Sequence, residues 1–88
     1  MTNITTLDKL LQTKGEELLE GKGFVKTHSS VFGSVWKNND TNVDVELMPS
    51  PEHKNAILWI PAYLDVRING NPTLCDSIED VEKLLITL

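Results

Sequence analysis

Three acidic residues and one arginine are the side chains of this sequence best suited to chemistry. Asp44 and Glu46 lie in the run VDVEL, and Asp65 and Arg67 lie in LDVRI. Two carboxylates about 5 to 9 Å apart are the arrangement that glycosidases use. A chain of 88 residues offers little room for a cleft that excludes water, and Arg67 is a ready counter-ion. The pattern therefore favours cross-strand ion pairing, with a small enzyme or ligand-binding protein as the alternative.

The remaining reactive side chains form no recognisable catalytic or metal-binding motif. Cys75 is the only cysteine and precedes the last predicted helix, whose dipole could lower the thiol pKa. His28 and His53 lie in segments that are not expected to approach it, and no Cys or His pair has metal-ligand spacing. A lone cysteine before a helix is more often packing. The sequence predicts no catalytic residue, no metal ligand and no cofactor.

The charge balance argues against two classes of partner. The formal net charge is −5 and the pI is about 4.8, which disfavours binding to phosphate backbones or anionic membranes. The first residues lack the basic and apolar regions of a signal peptide. We therefore expect a cytoplasmic protein of one domain, spanning residues 1–88, that binds neither nucleic acid nor membrane.

Helices are predicted at the two ends of the chain. Leucines recur at helical spacing over residues 5–21, where Thr5 and Asp8 approximate a capping box. Gly21 and Gly23 are expected to end this helix. The second helix is predicted to begin after Asp76 or Ser77, whose side chain would cap it.

Between the helices, short β-branched or aromatic runs alternate with turn residues, which is typical of strands. The fold class predicted is α+β: an N-terminal helix, an antiparallel meander of four to five strands and a C-terminal helix, with the helices mainly on one face. The expected strands are VFGSVWK, VDVELMP, AILWIP and LDVRING, with GFVKTH as a fifth at the edge.

Loop lengths set the expected register of these strands. The loops before and after AILWIP, six and three residues long, both place Leu58 and Ile60 on the valine-rich side. The five-residue loop NNDTN pairs Val35 with Val45. The strand residues expected in the core are therefore Val31, Val35, Val43, Val45, Leu47, Leu58, Ile60, Leu64, Val66 and Ile68.

The opposite face of the predicted sheet carries large apolar side chains among charged ones. Because both helices need the valine-rich face, we expect this second face to be open and to resemble a protein-contact surface. The sequence thus predicts a non-enzymatic interaction module that binds another protein or itself, as a homodimer. Alternatives are an acidic inhibitor that occludes a basic site on a partner, or a face with only a structural role. The predicted binding residues are Phe32, Trp36, Asp44, Ile57, Trp59, Asp65 and Arg67.

Overall fold

The computed structural model describes residues 6–88, which form two helices and seven strands. Thr5, which the sequence placed at the start of the first helix, lies outside the described residues. Thr6 is the N-cap, and its side chain makes no capping hydrogen bond. The elements are α1 (Leu7–Gly21), β1 (Val25–Ser30), β2 (Gly33–Asn38), β3 (Val43–Ser50), β4 (His53–Lys54), β5 (Trp59–Ile60), β6 (Tyr63–Ile68), β7 (Asn71–Cys75) and α2 (Ile78–Leu85).

Five of the strands form one antiparallel sheet with the order β1-β2-β3-β6-β7, and β4 pairs with β5 in a separate hairpin. The meander is therefore sequential except where the hairpin is inserted between β3 and β6. Both predicted helices are present, and α1 ends at Gly21 as expected. Ser77 caps α2 by accepting a hydrogen bond from the Asp80 amide. These features confirm the predicted α+β fold.

The two helices pack on the same face of the five-stranded sheet. A Cβ atom at Gly15 would lie 3.1 Å from Leu47 Cδ1, so the missing side chain lets α1 approach β3 closely. Val81 and Leu85 of α2 are fully buried. The buried core consists of Leu11, Leu19, Phe24, Trp36, Val45, Leu47, Leu64, Val66, Cys75, Val81 and Leu85.

The edge strand β7 was not predicted, although a turn signal for it exists. Asn69 and Gly70 have φ angles of 51° and 87°, which is the backbone of a two-residue hairpin turn between β6 and β7. Pro72 lies within β7 and argued against a strand, but an edge strand tolerates proline where its missing N–H would face solvent.

The register of β2 differs by one residue from the prediction. Trp36, not Val35, pairs with Val45, because Asn38 belongs to the strand and the loop has one residue fewer than expected. The buried Asn38 side chain accepts hydrogen bonds from the Asp40 and Thr41 amides, which closes the loop. Since side chains alternate along a strand, this shift turns the whole of β2 over.

The prediction that AILWIP forms a strand of the main sheet is wrong. Residues 51–62 leave the end of the sheet as the hairpin, because β3 pairs directly with β6 as far as Ser50 and Tyr63. Direct pairing places the apolar faces of β3 and β6 side by side, for example Leu47 beside Val66. Leu58 at 50% and Ile60 at 40%, both expected in the core, are consequently exposed. Val31, also expected in the core, is 82% exposed because it lies in the turn between β1 and β2.

Candidate functional site

Two parts of the chain project from the same end of the five-stranded sheet. The turn at Val31 and Phe32 immediately precedes β2, whose first residues lie beside the last half of β3. The hairpin of residues 51–62 then joins the end of β3 to the start of β6. We call the exposed apolar residues of these two parts the apolar end: Val31, Phe32, Ile57, Leu58, Trp59 and Ile60.

The side chains of the apolar end are unusually exposed for their size. Ile57 is 96% exposed, Phe32 76% and Trp59 60%. The run from Ile57 to Ile60 exposes four apolar residues in succession. Single exposed apolar residues are ordinary on a soluble protein, but a run of this kind marks a contact surface or an aggregation hazard.

Polar contacts hold the hairpin in a defined conformation. The Asn55 side chain accepts hydrogen bonds from the amides of Ile57 at 3.0 Å and Leu58 at 2.8 Å. At the base of the hairpin, Trp59 Nε1 donates to Glu52 Oε1 at 2.7 Å. The apolar side chains are therefore presented to solvent by a turn that is closed through hydrogen bonds.

Trp36 is not part of this surface, so the prediction that it lies on an open face is wrong. It is 4% exposed and faces the helices, as a consequence of the register shift in β2. Its Nε1 donates to Ser34 Oγ at 2.8 Å, and Ser34 Oγ donates to Glu16 Oε2 at 2.8 Å. Lys26 lies over the indole, with Nζ 5.4 Å from the ring centroid. Trp36 thus joins α1 to the sheet.

The predicted acidic cluster lies on the sheet face opposite the helices, which we call the open face. Glu46 is opposite Arg67 across β3 and β6, and Asp44 is opposite Lys37 across β3 and β2. Arg67 Nε donates to Asp65 Oδ2 at 3.2 Å. Each carboxylate therefore has a basic side chain on the same or a neighbouring strand, which offsets its charge.

A shallow cavity connects the open face with the apolar end. Its volume is about 110 Å³, and it is lined by residues that include Phe32, His28, Glu46 and Met48. Glu46 is the one member of the predicted acidic cluster that lines it. The cavity therefore does not bring together the two carboxylates that acid–base catalysis of the glycosidase type requires.

Cys75 is a packing residue. It is 1% exposed and pairs with Leu64 across β6 and β7. Burial, followed by the charges of Asp80 and Asp76, raises the pKa of Cys75 from 9.0 to about 11. The interpretation of Cys75 as a packing residue is therefore confirmed, and burial and like charge outweigh any lowering of its pKa by the α2 dipole. Residues 6–88 contain no group of three or more His, Cys, Asp and Glu side chains placed to hold a metal ion.

Sequence reasoning misplaced three residues of the apolar end: Val31, Leu58 and Ile60 were assigned to the core. The available signal was Pro51 and Pro61, which bracket the hairpin. Proline cannot donate to a sheet ladder, so Pro61, which the predicted strand AILWIP includes, argues against a central position for that segment.

Comparisons with known proteins identify no relative of this chain, so the functional hypothesis is based on the geometry described above. No family model matches the chain, and neither curated proteins nor solved structures yield a significant match. Within residues 6–88, no helix has both the length and the apolar character needed to cross a membrane.

Proposed function

We propose that this protein is a non-enzymatic interaction module that binds another protein, or a second copy of itself, through the apolar end. The observation that carries the proposal is the exposed run Ile57–Ile60 on a hairpin closed by the Asn55 side chain. Contact with a partner would remove this apolar area from water, which stabilises a complex by roughly 25 cal/mol per Å² before the costs of association.

The ordered conformation of the hairpin supports a binding role for its exposed apolar residues. A loop that is already ordered loses less conformational freedom when a partner docks. Trp59 is of the residue type that most often anchors protein contacts, and its indole N–H is already bonded to Glu52. Ile57, Leu58 and Trp59 can therefore meet a partner without ordering the turn first.

The pairing on the open face favours this proposal over the two alternatives. An acidic inhibitor or a ligand-binding cluster needs carboxylates that are free to engage a basic or polar group. Asp65 bonds Arg67 through Oδ2 and its Oδ1 is buried beneath the surface of the sheet, while Lys37 lies opposite Asp44. Ile57 of the apolar end, by contrast, is 96% exposed and is covered by no side chain of the described residues.

Selection from a random peptide library tests the proposal even though the natural partner is not identified. The bait is the wild-type protein, and the counter-bait is the double variant Ile57→Ser/Leu58→Ser. A matched control is Val25→Ser/Leu74→Ser, which changes two apolar residues of 60% and 64% exposure on strands β1 and β7. Self-association of all three proteins is measured in parallel by sedimentation equilibrium.

We expect peptides, or a second copy, to bind the wild type and the Val25→Ser/Leu74→Ser control but not the Ile57→Ser/Leu58→Ser variant. Since both pairs of substitutions affect exposed residues, all three proteins should unfold at similar temperatures. Binders that recognise the hairpin variant as well as the wild type would contradict the proposal. So would the absence of both self-association and enriched peptides.

A further inference from the structure

A groove of about 470 Å³ lies between the first turn of α1 and the base of the hairpin. Its volume is within the range typical of ligand sites, and it adjoins the apolar end through Trp59. The lining residues that matter here are Leu7, Asp8, Pro51, Glu52, Trp59 and Pro61.

The groove is acidic and apolar. Among residues 6–88, it is lined by two carboxylates and by no basic side chain. Asp8 is 3% exposed, and its Oδ1 atom is buried without a hydrogen-bond partner among residues 6–88. Glu52 accepts the bond from Trp59 Nε1 through one oxygen. Within the described part of the chain, neither carboxylate forms a salt bridge.

This arrangement favours a cationic hydrogen-bond donor. A buried carboxylate oxygen without a donor costs about 1 to 3 kcal/mol, which a ligand would recover if the walls of the groove move apart enough for its donor to reach Asp8. The N-terminus of α1 contributes about half a positive charge, which the formal charges of Asp8 and Glu52 outweigh. Trp59 adds an aromatic ring, which attracts cations to its face.

We propose that the groove binds an arginine side chain of the partner that docks at the apolar end, an inference that rests on the proposed function. A guanidinium group has a planar fork of donors that matches carboxylates, and it also stacks on aromatic rings. Leu7, Pro51 and Pro61 provide an apolar lining for a neighbouring side chain of the same partner segment.

Two peptides that differ only in charge test this inference. Acetyl-Leu-Arg-Leu-amide and acetyl-Leu-citrulline-Leu-amide are titrated into ¹⁵N-labelled protein, and the indole N–H signals are followed by NMR. Trp59 reports on the groove, while buried Trp36 is an internal control. We expect the arginine peptide to shift the Trp59 signal saturably, with about tenfold tighter binding than the citrulline peptide, and to leave Trp36 unchanged.

Isosteric variants locate the contact. The substitution Asp8→Asn should lower the affinity for the arginine peptide by about tenfold and leave the affinity for the citrulline peptide unchanged. The substitution Glu52→Gln should lower the affinity for the arginine peptide by a smaller factor. Because Glu52 is exposed, this variant should keep the fold even if Asp8→Asn does not. Asp44→Asn, on the open face, is the matched control and should change neither affinity.

Equal binding of the two peptides, or no shift of the Trp59 signal at millimolar concentration, would overturn the inference. If library peptides require Ile57 and Leu58 while Trp59 fails to respond to the arginine peptide, the groove assignment fails and the proposed function stands. If the arginine peptide binds at Asp8 but no partner depends on Ile57 and Leu58, the proposed function fails and the arginine is not part of a partner at the apolar end.

Discussion

The two tryptophans of this chain have opposite environments. Trp36 is 4% exposed and links α1 to the sheet through Ser34 and Glu16, whereas Trp59 is 60% exposed at the base of the hairpin. The sequence pattern placed both on one open face, because a loop length alone does not show that Asn38 is drawn into β2 by its hydrogen bonds. The loop contacts of Asn38 therefore accompany the β2 register that buries Trp36, whereas Trp59 is exposed because it lies in the separate hairpin.

Truncation of the two tryptophans should have very different effects on stability. Trp36→Ala removes a buried aromatic side chain and should lower the free energy of unfolding by about 3 to 5 kcal/mol. Trp59→Ala should change the free energy of unfolding by less than about 1 kcal/mol, since its ring is mostly in water. Urea unfolding followed by circular dichroism measures both. Comparable losses of unfolding free energy in the two variants would contradict the placement of Trp36 in the core and Trp59 at the surface.

Gly33 occupies a position where a side chain does not fit. Its φ angle is 146°, and a Cβ atom there would overlap the Leu47 carbonyl oxygen of β3. We expect Gly33→Ala to cost at least about 3 kcal/mol of stability, from backbone strain and steric overlap together. Gly21→Ala is the matched control: nothing lies within 4 Å of its Cβ position, and alanine should stabilise the end of α1 by up to about 1 kcal/mol. Thermal melts of the two variants should therefore shift in opposite directions.

The Cys75 thiol should be unreactive in the folded protein. Its pKa is raised from 9.0 to about 11, so the folded state favours the neutral form. Its contribution to stability is complete below pH 9 and is lost as the pH rises through about 11. A thiol reagent at pH 8 should label the protein at the rate of unfolding, and rapid labelling under native conditions would contradict the burial.

At the scale of the elements, the positions of helices and strands were easier to predict from local sequence patterns than the pairing of strands was from loop lengths. The alternation in VDVEL and LDVRI located β3 and β6, and Ser77 marked the start of α2. The partner of β3 was not predictable from loop lengths, because both AILWIP and LDVRI could supply apolar residues at the required spacing. The tertiary contacts of β3 with β6 decide between them, and these are non-local.

Because the hairpin lies outside the main sheet, the fold should survive its removal. Ser50 and Tyr63 are paired at the ends of β3 and β6, so a two-residue Asn-Gly turn can join them in place of residues 51–62. Of the replaced residues, only Ala62 is buried. We expect the amide spectrum of the five-stranded sheet to be retained. Loss of dispersed amide signals would mean that the hairpin is required for folding.

At the scale of the whole molecule, the layers leave the two sheet faces with different roles. The helices cover one face, and the open face carries charged side chains of both signs with two exposed apolar residues, Val25 and Leu74. The sequence correctly predicted a sheet face that the helices leave uncovered. Most of the apolar residues predicted on that face lie instead in the apolar end. Residues of the predicted binding set thus fall into three places: the apolar end, the open face and, for Trp36, the core.

The most direct test of this account is the accessibility of Trp59 in the free and bound protein. In a Trp36→Phe variant, Trp59 is the remaining tryptophan, and its quenching by acrylamide is recorded together with the solution mass from light scattering. Trp59 should be readily quenched in the dilute monomer and protected when a second copy or a selected peptide binds. The substitutions Ile57→Ser/Leu58→Ser should abolish that protection. A shielded Trp59 in the monomer, or one that stays equally accessible in every complex, would contradict the claim that the apolar end is the binding surface.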